Sequence, residues 1–158
     1  MSAVSPIPAG FHSLTPYLVI EGCDRALEFY ARAFGAVELT RMNLPGTDRV
    51  MHAEVRIGDT PLMMTEAMPE QGSFAPGDTP SPVAVHLYCE DVDAAVKRAS
   101  EAGCEVLWPP TTMFWGDRFA KLKDPFGHQW SVATHVEDVA PEECERRAQE
   151  FFGGGGAC

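Results

Sequence analysis

Two histidines and a carboxylate stand where they could do chemistry. His52 and Glu54 alternate with Met51, Ala53, Val55 and Ile57. A strand here sends His52, Glu54 and Arg56 to one face and the apolar set to the other. His86 sits in a second short apolar run, Val83–Cys89. Two imidazoles and a carboxylate that converge make a facial ligand set for a divalent metal. The same groups without a metal make a hydrogen-bonded polar patch, or a general base in Glu54 or His52. Spacing alone leaves these readings open, because convergence depends on the tertiary fold.

A second constellation is Trp115-Gly116-Asp117-Arg118. Gly116 permits a sharp bend, and Asp117 can orient Arg118 to hold a carboxylate or phosphonate through two parallel hydrogen bonds. Phe114 and Trp115 can stack on an apolar ligand body. The alternative is a loop anchor in which Asp117 and Arg118 tie to each other or to backbone. Arg118, Lys121 and Lys123 concentrate positive charge in one short segment, either a lining for an anionic substrate or a solvated strand edge. Cys89 ends its strand with no evident neighbouring base, so it reads as an inert thiol. No Gly-x-Ser-x-Gly elbow, P-loop or G-x-G-x-x-G motif occurs.

The whole-chain totals narrow the classes of partner. A formal net charge of −11 disfavours nucleic acid and anionic membranes as partners and suits a cationic guest. No apolar run reaches the length of a membrane span. Met1 to His12 lacks a basic region followed by an apolar stretch, which predicts no signal peptide. The five cysteines are odd in number and show no C-x-x-C spacing. They fit reduced thiols in the cytoplasm better than a disulfide frame or a zinc ribbon.

The elements that must position these residues come as a repeat. Leu18, Asp24 and Leu27 recur as Leu87, Asp93 and Val96 at a constant offset of 69, whereas Gly35 recurs as Gly103 at 68. One residue is therefore lost inside the second helix. In the first copy, a strand at Ser13–Ile20 leads to a helix capped by Asp24 and stopped by Gly35. Strands follow at Val37–Met42, about Met51–Ile57, and Pro61–Thr65. The second copy has a strand at Val83–Cys89 and a helix capped by Asp91 or Asp93. Its later strands are Val106–Trp108 (stopped by Pro109-Pro110), Phe119–Lys123 and Gln129–Thr134. Both copies read βαβββ. The expected organisation is a first module at 12–67, a linker at 68–82, a second module at 83–137, and a C-terminal helix with a flexible glycine tail at 138–158. A duplicated unit that cannot close its own core packs against its copy, and the groove between copies is a natural ligand site.

The βαβββ repeat, the helix ending in Phe29-Tyr30 and Phe34-Gly35, and Asp124-Pro125-Phe126-Gly127 resemble the vicinal oxygen chelate superfamily. That group holds glyoxalase I, extradiol dioxygenases, fosfomycin-resistance enzymes and bleomycin-binding proteins. Val50–Asp59, Phe114–Arg118 and Asp124–Ser131 resemble its PhnB-like, glyoxalase-related subgroup, some of whose members carry a demethylubiquinone-methyltransferase-like label. This chain has no Gly-rich methyl-donor loop to match that label. The resemblance implies an α+β fold. Two tandem βαβββ modules form a curved eight-stranded mixed sheet with helices on its outer face, and a C-terminal helix is added. It also implies a cupped inner face and homodimers, sometimes with modules exchanged.

Metal-dependent members hold their ion on inward-facing strand positions. Carried over by register, those positions fall on Thr15, Ala84, Ser131, and Met63 or Met64, none of which is a competent ligand. The expectation is therefore a protein that binds a small molecule in the cup without metal at the usual positions and without a confident cofactor. Tyr17, His52, Glu54, His86, Trp115, Arg118, Gln129 and Ser131 would touch the ligand. The alternative is a metal-dependent lyase or dioxygenase with a divalent ion on a displaced His52, Glu54 and His86 set. Of the other histidines, His12 is expected at the rim, His128 in the turn after Asp124, and His135 in solvent.

Overall fold

Residues 4–79 and 81–153 are described by the computed structural model. The first module runs β1 (Tyr17–Ile20), α1 (Cys23–Phe34), β2 (Val37–Asn43), β3 (Val50–Ile57) and β4 (Thr60–Glu66). The second runs β5 (Ala84–Tyr88), α2 (Val92–Ala102), β6 (Glu105–Thr112), β7 (Asp117–Lys123) and β8 (Gln129–His135), and is followed by α3 (Pro141–Gly153). The eight strands form two four-stranded mixed sheets, ordered β1-β4-β3-β2 and β5-β8-β7-β6. In each sheet the first and last strands of the module pair in parallel and the other pairs are antiparallel. The fold is the α+β pair of βαβββ modules with a C-terminal helix that the resemblance implied, but the eight strands lie in two sheets rather than one continuous curved sheet, because the modules meet through α1 and α2 and not through a strand pair. The residue lost from the repeat is visible, since α1 has 12 residues and α2 has 11.

Each sheet buries one face beneath its helix. Leu18, Ile20, Ala53, Val55, Ile57, Leu62 and Met64 pack under α1, and Ala120, Leu122, Trp130 and Val132 lie in the same core. The modules meet through their helices, with α1 against α2. One buried carboxylate strengthens the junction. Asp124, 2% exposed, accepts the Tyr30 hydroxyl of α1 at 2.7 Å and the Trp130 indole N–H at 2.9 Å on Oδ2. Its Oδ1 accepts the backbone N–H groups of Phe126 and His128, both at 2.9 Å. A carboxylate with all its hydrogen bonds made is tolerable in a core; one left unmade is costly. The Asp-Pro-Phe-Gly turn is thus a tie between modules. His128 fixes the turn as expected and also donates from Nε2 to the Val19 carbonyl of β1 at 3.1 Å.

Some local expectations need correction. The first strand begins at Tyr17 rather than Ser13, leaving Thr15 in the loop before it, bonded to the His12 carbonyl. Asp24 does not cap α1. That helix starts after Gly22, and Glu66 at the end of β4 accepts the N–H groups of Gly22 and Cys23 at 2.8 and 2.9 Å. α2 is capped by Asp91, which accepts from Ala94, while Asp93 is engaged elsewhere. β6 does not stop at Pro109-Pro110 but runs on to Thr112. It is an edge strand, so the missing N–H groups break no ladder, and a register shift between Trp108 and Thr111 absorbs the pair. In β3, Val50 is fully buried and Met51 only partly so. A register shift between Met42 and Asn43 accompanies that change. The expected tail helix is present as α3, and the glycine tail beyond Gly153 lies outside the described residues. No described helix is long and apolar enough to cross a membrane.

Candidate functional site: two open sheet faces

The faces turned away from the helices carry the polar and aromatic side chains. On the first sheet, Tyr17, Met63, Glu54 and Thr40 form one rung across β1, β4, β3 and β2. Tyr17 is 53% exposed and meets the His52 ring edge-on, with centroids 6.0 Å apart. His52 Nε2 donates to Glu54 Oε1 at 3.2 Å. The alternation of β3 therefore assembles Tyr17, His52 and Glu54 on one surface, as the sequence predicts. Of the two methionines considered at the fourth-strand position, Met63 faces this surface, because Met64 is buried under the helix.

The second open face is an aromatic ladder. His86, Ser131, Lys121 and Trp108 form one rung across β5, β8, β7 and β6. Tyr88, Ala133, Phe119 and Thr111 form the next. His86 Nδ1 and Ser131 Oγ are 2.6 Å apart. The His86 ring is 4.5 Å from Tyr88 edge-on and 6.3 Å from Phe119 nearly parallel. Trp115 closes the group, its ring 5.6 Å from Phe119.

Beyond this ladder lies a carboxylate that sequence reading treated only as a helper of Arg118. Asp117, 5% exposed, accepts Trp115 Nε1–H at 3.1 Å and the Tyr88 hydroxyl at 3.2 Å. His135 Nδ1–H donates to its Oδ1 at 2.8 Å, and His135 Nε2–H donates to Asp138 at 2.9 Å. His135 is half exposed at the end of β8, as expected, but both of its ring nitrogens are engaged by carboxylates. Hydrogen bonds to Asp138 and then Asp117 favour its charged form and raise its pKa above the usual 6.5. The same carboxylate raises the pKa of Tyr88, after desolvation. The neighbouring turn needs glycine. Gly116 has φ +100°, and a Cβ there would strike the Glu137 carbonyl oxygen.

Arg118 does not join the site. Successive strand residues point to opposite faces, so Asp117 turns to the open side and Arg118 to the helix side. There both of its arms donate to Asp93 of α2, at 2.6 and 2.7 Å. The Asp117–Arg118 pairing expected from sequence is replaced by Asp117–His135 and Asp93–Arg118. Phe114 packs on Phe151 and Phe152 of α3. Lys123 pairs with Glu105 at 3.0 Å. The missed residues are Tyr88, Asp117, Phe119 and His135. Extending β7 back to Asp117 in the sequence would have put Asp117, Phe119 and Lys121 on one face.

Hollows lie at the seam between modules. One, of about 440 Å³, brings Tyr17 and Gln129 together with Phe74, Val85 and His128, and Gln129 donates to the Ser81 carbonyl of the linker. Another, of about 340 Å³, is lined by Ile57, Leu62, Val85, His86, Tyr88 and Trp130. A larger one, of about 630 Å³, surrounds the Asp124 turn, away from both open faces, with the Lys123–Glu105 pair among its walls. Glu21, Arg25 and Asp78 also line it, but it lacks the row of exposed aromatic rings that marks the open faces, and the candidate site is placed on those faces.

The donor set at the usual metal positions does not fit a divalent ion. Thr15, Met63, Ala84 and Ser131 offer two neutral hydroxyls, a thioether and a methyl. His52 and Glu54 are together, but His86 stands on the other sheet. Among the described residues, no three His, Cys, Asp or Glu side chains group as a metal set.

The likeness to known proteins follows the same architecture. The model of the Glyoxalase/Bleomycin resistance protein/Dioxygenase superfamily matches residues 10–132. An uncharacterized protein of Mycobacterium bovis is 39% identical over 140 residues, covering 84% of this chain and 90% of its own. The crystal structure of TioX from Micromonospora sp. ML1 is 28% identical with a TM-score of 0.64, covering 79% of this chain and 99% of TioX. A PhnB protein of Bacillus cereus, 16% identical with a TM-score of 0.59, covers 78% of this chain and 99% of its own, and shares the fold.

Proposed function

This chain belongs to the glyoxalase/bleomycin resistance protein/dioxygenase superfamily. From that premise we propose that it binds a small, flat, largely apolar molecule against the aromatic open face of its second module, without a metal at the family's usual positions. The observation that carries this reading is the ladder of Tyr88, Phe119, Trp108 and Trp115 around the His86–Ser131 pair. Tyr88 is 61% exposed in the single chain. A ligand covering such rings gains apolar burial, and a few polar groups fix its orientation. Titration with naphthalene-2-carboxamide, followed by calorimetry and by the fluorescence of Trp108 and Trp115, tests it. Saturable binding that weakens in Phe119→Ala is expected. Absence of binding by this and other flat aromatic probes would overturn the reading.

A second copy of the chain is the proposed partner. The edge strands β2 and β6 expose Val37, Leu39 and Met42, and Val106, Leu107 and Trp108. Apolar edges of this kind are normally covered. Light scattering should report twice the chain's mass. We also place the protein in the PhnB-like branch, on the strength of Phe114–Arg118 and Asp124–Ser131, and in the cytoplasm, where its free thiols stay reduced.

One observation favours a second reading, the His52–Glu54 pair at 3.2 Å. A metal-dependent lyase or dioxygenase on His52, Glu54 and His86 requires another copy to bring His86 to that pair. Metal analysis of the purified protein and of His86→Ala distinguishes the readings. Stoichiometric metal lost in the variant supports the second.

A further inference from the structure

The aromatic face carries a charge that the proposed function leaves unused. β7 supplies three basic side chains. Arg118 is held by Asp93 on the helix side, and Lys123 is held by Glu105. Lys121 lies between them in sequence, on the open face opposite Ser131, and makes no ion pair among the described residues. Its rung neighbours are Ser131 and Trp108, and His86 completes the row.

The His86–Ser131 bond, at 2.6 Å, leaves a donor over in either tautomer. If the serine hydroxyl donates to Nδ1, the ring proton is on Nε2, which has no hydrogen-bond partner among the described residues. If Nδ1–H donates to the serine oxygen, the hydroxyl proton is free. Either way the rung presents an ammonium group and one further donor, and the next rung presents Phe119 and Tyr88.

We propose that this rung is an anion subsite, and that the ligand is a flat aromatic acid whose carboxylate sits between Lys121 and the His86–Ser131 pair while its ring lies on Phe119 and Tyr88. This rests on the aromatic-face reading above and adds the ligand's charge to it. The chain's overall −11 would point to a cation, but the local sign at this rung is positive. Contact interactions on a short scale outweigh the screened field of the distant surface.

The test is a matched set of probes on the full chain: 2-naphthoate, naphthalene-2-carboxamide and 2-naphthylmethylammonium, measured by calorimetry. 2-Naphthoate should bind about ten-fold more tightly than the carboxamide, the difference between a charge-assisted and a neutral hydrogen bond. The ammonium probe should bind more weakly than both. Lys121→Met should abolish the preference for naphthoate over the carboxamide, and Lys121→Arg should keep it. Unaltered thermal unfolding of the variants establishes that they fold.

Equal binding of carboxamide and naphthoate overturns the anion subsite alone and leaves the aromatic-face reading standing. A preference that survives Lys121→Met also overturns it. Failure of all three probes overturns both.

Discussion

The two modules repeat one fold and put it to different uses. In the first, the open face is built on Tyr17, His52 and Glu54, with a methionine at the fourth-strand position. In the second, the same rungs carry His86, Ser131 and Lys121 beside a run of aromatic rings. The helix starts differ in the same way. The end of β4 caps α1 with the carboxylate of Glu66, and the end of β8 supports α2 with the hydroxyl of Thr134, which accepts the Val92 N–H at 2.9 Å. Duplication preserved where a strand end meets a helix start, and let the chemical group at that meeting drift. The scaffold is therefore symmetric while the chemistry is not.

The largest effect should come where the symmetry is joined. Asp124→Ala strands Tyr30, Trp130 and two backbone N–H groups, and should cost about 3–5 kcal/mol. Denaturant unfolding measures it. A loss under about 1 kcal/mol, the scale of an exposed hydrogen bond, would mean the modules hold together without this tie.

The caps come next. Glu66→Ala removes two bonds to the start of α1 and Thr134→Val removes one from α2. Costs of about 1–2 and about 0.5–1 kcal/mol are expected, in that order. The reverse order would break the equivalence drawn between the two strand ends.

The open faces separate by ligand. Phe119→Leu should weaken carboxamide binding roughly five-fold, because an aliphatic side chain offers the probe no ring to stack on. Tyr17→Leu, on the first sheet, should change it less. A larger effect from Tyr17 would move the ligand to the other module. Arg118→Met should leave probe affinity unaltered, because its partner Asp93 lies on the helix side.

The smallest effect concerns pH. His135 has its pKa raised in the fold by Asp138 and Asp117. Its stabilising contribution is complete below its unfolded value, near 6.5, and is lost as pH rises through the higher folded value. The Tm of the wild type should therefore fall relative to that of His135→Gln as pH is raised from 6 towards neutrality and above. Parallel Tm curves over that range would show that His135 contributes nothing through its charge.

Much of the fold is legible in the sequence because it depends on local periodicity. The alternation through β3 places His52 and Glu54 on one face and Ala53, Val55 and Ile57 on the other, and the drop in offset from 69 to 68 locates the shortened helix. The sequence misplaces Arg118 because its apolar pattern starts β7 at Phe119, which hides the alternation that turns Asp117 and Arg118 apart. It cuts β6 short because two prolines matter to a central strand and little to an edge. Whether a strand lies at an edge is a property of the sheet, not of the strand's own residues.

Taken by itself, the amino-acid order determined two βαβββ copies and the helix stops, since residue type and short-range spacing suffice for each. Only the tertiary structure decided which side chains meet. It bound Asp124 to Tyr30 across the module junction, gave Asp117 to His135, gave Arg118 to Asp93, and kept His86 apart from His52 and Glu54. Those pairings join residues far apart in the chain, and their geometry is set by how whole sheets and helices pack, which no local pattern encodes.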